Sequence, residues 1–190
     1  ASLALSLSGG TRVLAALESR LGSAAQGVNA AQGERLEDWR TAYATSGAHE
    51  GWAVHGAWIT QHKPVFAPAI AGRWKAASEV TDQAAASARD KTAAIRAKVR
   101  ALIGPDCVAV LPSAASFAPL RNADPADVDA IRMRTMAMTC IAGIAGLPQI
   151  NMPFSAPDGT PIGISLMGPA GSDLALIRLA VDIHRAAQPV

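Results

Sequence analysis

Apolar residues recur at helical spacing near the start of the chain. A short helix is predicted over the stripe of Val13, Leu14, Leu17 and Leu21, and Gly22 is placed to end it. A loop with a possible short strand near residues 27–30 follows. The chain is therefore expected to begin with one amphipathic helix.

Residues 34–62 are also helical in pattern, but their stripes are aromatic. Trp39 and Tyr43 lie on one stripe, Trp52 and Trp58 lie on another, and Gly47 stands between them. Because glycine weakens a helix interior, two helices with a break near residues 46 and 47 are predicted. Prolines at positions 64 and 68 then bracket a turn before a further short helix that includes residues 70–74.

Helices alternate with strands in the second half. Thr81 is a typical N-cap for a helix that runs to residue 103, whose buried face carries Ala88, Ile95, Val99 and Leu102. The apolar run 107–111 is short and contains β-branched residues, which predicts a fully buried strand ended by Pro112. Asp124 followed by Pro125 begins a helix over 125–145, and its second half is apolar on all sides and must be buried.

A hairpin and a final helix are predicted at the C-terminal end. Residues 147–153 and 161–167 both alternate between apolar and other positions, and the turn sequence Pro157-Asp158-Gly159 separates them. Ser172 or Asp173 caps a last helix over 173–186, whose buried stripe is expected to be Leu174, Ile177, Ala180 and Ile183. The elements predict an α/β fold in which helices flank a mixed β-sheet. Residues 1–190 are expected to form one piece, mainly helical over 1–80, with a core of helices, strand and hairpin over 81–190.

Composition excludes several classes of protein. Half of the 190 residues are apolar, 17% are charged and the mean hydropathy is +0.20, which excludes intrinsic disorder. The net charge of +2 is spread without a basic block, so no nucleic-acid partner is expected. Residues 136–147 are the best membrane candidate but fall short of the length a span needs. A soluble protein is therefore predicted, and residues 1–8 lack a basic segment and do not resemble a signal peptide. Because the two cysteines show neither CxxC nor Cys/His spacing, a reducing cytoplasm is the expected location.

The chain offers no convincing metal or cofactor site. The segment HEGWAVH begins like a zinc-protease motif, but its second histidine, His55, follows His49 by six residues, which is about 240° around a helix. His55 and His62 do share a face, yet a third ligand is missing from the pattern. No glycine-rich phosphate loop follows a strand. We therefore expect neither a metal nor a cofactor.

No catalytic nucleophile can be assigned from the pattern. Cys107 and Cys140 lie within apolar runs, without a neighbouring base, and are expected to fill the core in their reduced form. The run from Ser8 to Arg12 resembles a glycine-cradled serine, but it fits a helix start better and nothing nearby supplies a base. A self-contained catalytic constellation is not expected.

The last third of the chain resembles the C-terminal region of the amidase signature family. A strand ending in Leu-Pro and a helix that turns apolar are followed by LPQINMPFSAPDGTPIGISLMGPAGSDLALIRLA. The order of motifs from Gly146 to Pro153, at Asp158-Gly159, from Pro161 to Gly168 and from Gly171 to Asp173 carries the resemblance. It extends over about residues 95–187, while residues 35–74 are compatible with a variable helical insertion of such enzymes, notably those similar to indole-acetamide amidases.

The resemblance implies hydrolysis of a carboxamide to a carboxylate and ammonia or an amine by a Ser, cis-Ser, Lys triad. The triad lies in the family's N-terminal half, so none of its residues carries over, and Ser8 to Arg12 lacks the family's Asp and has Thr11 where the nucleophile would stand. The resemblance thus implies the C-terminal half of an amidase, with the N-terminal half as partner in the same or a separate chain. A non-catalytic binding or scaffold module of the same fold is the alternative. A homo-oligomer is also possible.

The resemblance further implies that the loop after the Leu-Pro strand and the apolar turn before Gly-Leu-Pro line the acyl pocket. The residues so implicated are Ser113, Ala115, Phe117, Cys140 and Ile144. Cys140 and Ile144 fit a helix core better than a pocket wall. An apolar, uncharged pocket would suit a neutral aryl or alkyl amide.

Overall fold

The computed structural model describes residues 8–187, with six helices and three strands in that range. The helices are α1 (Ser8–Leu21), α2 (Leu36–His62), α3 (Pro68–Ser78), α4 (Asp82–Ile103), α5 (Pro125–Ala145) and α6 (Asp173–Ala186). The strands are β1 (Ala109–Pro112), β2 (Gln149–Ser155) and β3 (Pro161–Met167). This arrangement confirms the α/β class, and within residues 8–187 the strands lie in the second half. A mixed sheet was expected, but both strand pairs in this part of the chain are antiparallel.

The three strands form one antiparallel sheet in the order β1-β3-β2. β2 and β3 are the predicted hairpin, with Asn151 opposite Ser165, and β1 adds on the other side of β3 with Leu111 opposite the same serine. Gly159 has φ +84° in the turn. The Thr160 amide donates to the carboxylate of Asp158 and thereby lowers the pKa of Asp158. Turn chemistry and strand alternation therefore agree, and the hairpin prediction is confirmed.

Two apolar clusters hold the elements together. One face of the sheet packs against α1 and α6, and this cluster contains Val13, Leu17, Met152, Phe154, Ile164, Leu166, Leu176, Ala180, Ile183 and Ala187. The other cluster joins α2, α4 and α5 and includes Trp39, Ile95, Val99, Cys140, Ile141, Ile144 and Leu147. The sheet therefore lies between two helical layers. One layer consists of α1 and α6, and the other consists of α2, α4 and α5.

Arginine side chains of α4 hold the C-terminal end of α5. The Arg96 Nε donates to the Ile144 carbonyl at 2.8 Å, and the Arg100 Nε donates to the Ala145 carbonyl at 2.7 Å. Arg100 also reaches the Gly146 carbonyl at 3.2 Å. The last carbonyls of a helix lack intrahelical partners and carry the negative end of its dipole, so two guanidinium groups satisfy both needs.

Both predicted N-caps of the central helices are confirmed. The Thr81 hydroxyl accepts from the Ala84 amide, and the Asp124 carboxylate accepts from the Ala126 amide. Ser172 stands at the N-cap position of α6, but its hydroxyl donates to the Pro169 carbonyl and makes no cap bond.

The predicted break in the aromatic helix is wrong. α2 continues without interruption from Leu36 to His62, through both Ser46 and Gly47. A glycine costs a helix interior about 1 kcal/mol, which packing against three neighbouring helices outweighs. Nor is there a strand at residues 27–30, where the chain forms coil and the start of a turn.

Three further corrections concern which residues are buried. β1 begins at Ala109, it is largely half-buried, and Cys107 precedes it as an exposed free thiol, so that cysteine is not a core residue. On α6, Leu174 and Ile177 are 63% and 47% exposed, whereas Leu176, Ala180 and Ile183 face the sheet. On α4, Ile103 is buried in place of Leu102, which is half-buried.

Within residues 8–187, no helix combines the length and apolar character that a membrane crossing demands. In the same residues, no three His, Cys, Asp or Glu side chains converge as metal ligands would.

Candidate functional site

A row of hydrogen-bonded side chains lies on the face of the sheet opposite α1 and α6. It joins Asn151 of β2, Ser165 of β3 and Ser113, which directly follows β1. The hydroxyl oxygens of Ser113 and Ser165 lie 2.8 Å apart, and the Ser165 hydroxyl donates to the Asn151 Oδ1 at 2.5 Å. Because Ser165 gives its proton to Asn151, Ser113 must donate to Ser165. The row thus has one direction, from Ser113 through Ser165 to Asn151.

Burial and backbone both shape this row. Ser165 is fully buried at its centre, while Asn151 is exposed at one end and Ser113 is half-buried at the other. Gly163, next to Ser113, leaves room for it, since a Cβ at that position would lie 2.7 Å from the serine Oγ. The two ends of the row therefore remain able to exchange hydrogen bonds with another molecule.

Gln149 extends the row towards the end of α5. Its Nε2 donates to the Asn151 Oδ1 at 3.4 Å, and its Oε1 is buried without a hydrogen-bond partner in the described structure. A buried carbonyl oxygen without a donor is costly, so this atom marks where a further hydrogen bond would stabilise the protein.

The loop predicted to line a pocket starts at this row. The Ser113 amide donates to the Gly163 carbonyl, and the Ala115 amide donates to the Thr135 hydroxyl of α5 at 3.1 Å. Phe117, two residues on, is 44% exposed. The structure therefore places Ser113 and Ala115 at the base of the loop, with Ala115 bonded to α5, and leaves Phe117 partly exposed.

Cys140 and Ile144 lie in the helical core. They are 5% and 2% exposed and belong to the cluster that joins α2, α4 and α5. Burial raises the pKa of the Cys140 thiol to about 11, so it stays protonated at neutral pH. Whether either residue contacts a substrate stays a prediction.

The row itself has no acid or base. Its members are hydroxyl and amide groups, which bind polar groups but cannot remove a proton from a serine at neutral pH. The sequence implicated Ser113 through the family resemblance but did not identify Gln149, Asn151 or Ser165 as site residues. The available signal was a serine within the otherwise apolar run 162–167.

A second polar cluster anchors the loop before α2. The Glu34 carboxylate accepts from the Lys98 ammonium and from the Trp39 indole, and these bonds lower the pKa of Glu34. The Lys98 ammonium also lies over the Trp39 ring, 5.8 Å from its centroid. An open cleft of about 460 Å³ borders this cluster, but its residues are remote in sequence from the predicted pocket.

Comparison with known sequences gives one family. The sequence model of the family described as Amidase matches residues 30–177. Amidase 1 of Arabidopsis thaliana is 30% identical over 131 residues, which is 69% of this chain and 31% of that protein. A protein of Pisum sativum named Translocon at the outer membrane of chloroplasts 64 is 25% identical over 129 residues, or 68% of this chain and 22% of that protein.

Comparison of structures gives the same fold. A crystal structure of an amidase superposes with a TM-score of 0.75 at 21% identity, covering 94% of this chain and 41% of the other. This chain therefore spans less than a third of the length of the two curated relatives, and less than half of the solved structure.

Proposed function

This chain belongs to the amidase family, and we propose that it is the C-terminal part of an enzyme that hydrolyses a carboxamide to a carboxylate and ammonia or an amine. The family match over residues 30–177 carries the proposal. Because the chain spans 31% of Amidase 1 and 41% of the amidase of known structure, the proposal assigns the remainder to an N-terminal half. That half, in the same polypeptide or as a separate chain, is the proposed partner.

In this proposal the Ser, cis-Ser, Lys triad belongs to the N-terminal half. A serine oxygen attacks the amide carbonyl, the bridging serine and the lysine move its proton to the leaving nitrogen, and water then releases the carboxylate. The present chain contributes walls of the acyl pocket. The composition of residues 113–120 supports this role, since the segment carries no charged side chain and would favour a neutral aryl or alkyl amide.

Among the proposed pocket residues, Phe117 gives the sharpest test. Its ring is exposed on this chain, whereas Cys140 and Ile144 are enclosed and would act on the pocket through the packing of α5. Ser113 and Ala115 are held at the loop's base and would fix its position.

The decisive experiment uses the full-length protein from its natural source. We expect the sequence upstream of Ala1 to contain a lysine-bearing strand and a segment rich in glycine and serine, and the purified protein to release ammonia from neutral amides. In that enzyme, Phe117→Ala should lower kcat/KM for an aryl amide about 10-fold relative to acetamide. Leu120→Ala, on the same loop and 76% exposed, is the matched control. Unchanged selectivity in the Phe117 variant would remove this residue from the pocket.

The second candidate is a non-catalytic binding or scaffold module. The observation that favours it is the relative whose name describes a chloroplast outer-membrane translocon component. A full-length protein without the upstream lysine and serines, and without ammonia release from any amide tested, would support the module and contradict the enzyme.

A cytoplasmic location is also part of the proposal. The exposed free thiol of Cys107 fits a reducing compartment. Cell fractionation of the tagged full-length protein tests this, and recovery in the organelle or membrane fraction would contradict it.

A further inference from the structure

A groove with aromatic walls runs between α2 and α3. Its volume is about 230 Å³. The residues that line it are Trp52, Ile59, Lys63, Pro64, Phe66, Ala71, Trp74, Lys75 and Ser78. None of them belongs to the hydroxyl and amide row or to the loop 113–120, so the groove is separate from the site considered above.

Three rings form the walls, and each keeps part of its surface exposed. The centroid of Trp74 lies 6.4 Å from that of Trp52 and 6.5 Å from that of Phe66, with the ring planes tilted by 50° and 34°. Trp52 rests against the backbone of α2 at Gly56, where an added Cβ would lie 2.7 Å from its ring. The tilted rings thus leave aromatic surface facing the groove, and such surface binds flat apolar ligands.

The charge of the groove has one sign. Lys63 and Lys75 line it, whereas no aspartate or glutamate does. Within residues 8–187, neither lysine forms an ion pair. Lys63 ends α2 with φ 44° and ψ 53°, a left-handed conformation that glycine usually supplies at a helix end. A lysine is therefore held at this corner of the groove although its backbone conformation disfavours a side chain.

We propose that this groove binds a small aromatic carboxylate. The aromatic part lies against Trp52, Phe66 and Trp74, and the carboxylate meets the ammonium groups of Lys63 and Lys75. Packing between α2 and α3 alone would explain why the three rings are in contact. It would not explain why Lys63 and Lys75, which form no ion pair in the described structure, lie beside them. The inference goes beyond the proposed amidase activity and does not depend on it.

Tryptophan indole signals in the ¹H–¹⁵N NMR spectrum of the chain test the proposal directly. The four tryptophans include Trp52 and Trp74 in the groove, the buried Trp39, and Trp58, which is 53% exposed outside it. Naphthoate should shift the Trp52 and Trp74 signals with a Kd of about 1 mM, as ordinary ligand efficiency gives for about 13 non-hydrogen atoms. The Trp39 signal should not shift, and any shift of the Trp58 signal should not saturate with naphthoate concentration.

Charge is tested with a neutral probe and with surface variants. Naphthamide should bind about 5-fold more weakly than naphthoate, and Lys63→Gln or Lys75→Gln should each weaken naphthoate binding about 2- to 3-fold, as expected for exposed ion pairs. Lys91→Gln removes the same charge from the cleft beside Glu34 and should change nothing. These variants leave the apolar core intact.

Three results would overturn the proposal. The first is the absence of a saturable shift of the Trp52 or Trp74 signal at about 10 mM naphthoate, ten times the expected Kd. The second is equal affinity for naphthoate and naphthamide. The third is an equal shift of the Trp58 signal and of the signals of the groove tryptophans. The last result would show nonspecific adsorption to exposed rings.

Discussion

Replacing Arg100 by methionine should destabilise the fold through the C-terminal end of α5. The guanidinium donates to the carbonyls of Ala145 and Gly146, two groups that the helix itself cannot satisfy. Methionine keeps a similar length and a similar helix propensity, so the substitution removes the hydrogen bonds and the charge while changing little else in α4.

The expected loss follows from these contacts. A hydrogen bond to a charged group contributes about 1.5 to 3 kcal/mol, and a cation at a helix C-terminus adds about 0.3 to 1 kcal/mol. Because Arg100 is exposed and water can replace part of what is lost, we expect the lower end, about 1 to 2 kcal/mol.

Urea denaturation followed by tryptophan fluorescence measures this loss. With an m-value of about 2 to 3 kcal/mol/M, the midpoint should fall by about 0.5 M at unchanged slope. Arg89→Met, on the same helix and exposed, has no side-chain hydrogen bond or ion pair in the described structure and should stay within about 0.5 kcal/mol of the parent. Equal midpoints for the Arg100 and Arg89 variants would refute the argument that guanidinium groups hold the end of α5.

Three other predictions concern packing, thiol chemistry and association. Gly163→Ala should destabilise the sheet by about 1 to 3 kcal/mol in thermal unfolding, because the new Cβ would press on the Ser113 side chain. At pH 8, iodoacetamide should label Cys107 and spare Cys140, whose raised thiol pKa of about 11 leaves almost no thiolate below pH 9, as mass spectrometry of the native protein would show. Sedimentation velocity should find that the chain alone self-associates through the exposed stripe of α6, and that Ile177→Lys reduces this association without unfolding.

Each of these has a control. Gly72→Ala, at an open position inside α3, should stabilise the protein by up to about 1 kcal/mol, and an equal loss in both glycine variants would contradict the steric argument. Labelling of both cysteines at equal rates would contradict the burial of Cys140. If the chain sediments as a monomer at all concentrations, the exposed stripe of α6 does not mediate association. Leu176→Lys, on the buried face of α6, is the control and should unfold the layer of α1 and α6.

Local chemistry determined several elements in advance. Thr81 and Asp124 begin their helices because their side chains accept hydrogen bonds from amides two or three residues ahead, which is a property of the residue and its neighbours. The β2–β3 hairpin follows in the same way from alternation on both sides of a Pro-Asp-Gly turn. The second half of α5 is apolar on all sides, so its burial could be predicted without knowing which elements pack against it.

Elements whose outcome depends on distant partners were settled only by the tertiary structure. α2 runs through Gly47 because three other helices support it, a contribution that a local glycine penalty cannot reveal. α6 carries two apolar stripes roughly 120° apart, and periodicity cannot say which of them meets the sheet. In the structure, α6 packs on β2 and β3 through the stripe that contains Leu176.

The hydroxyl and amide row shows the same limit at the candidate site. Ser113, Asn151 and Ser165 are up to 52 residues apart in sequence, and of the three only Ser113 was implicated beforehand, through the family resemblance. The register of three antiparallel strands brings them into contact, and register is a relation between strands. The residues determined the strands, and only the assembled sheet placed these three polar side chains within hydrogen-bond distance of one another.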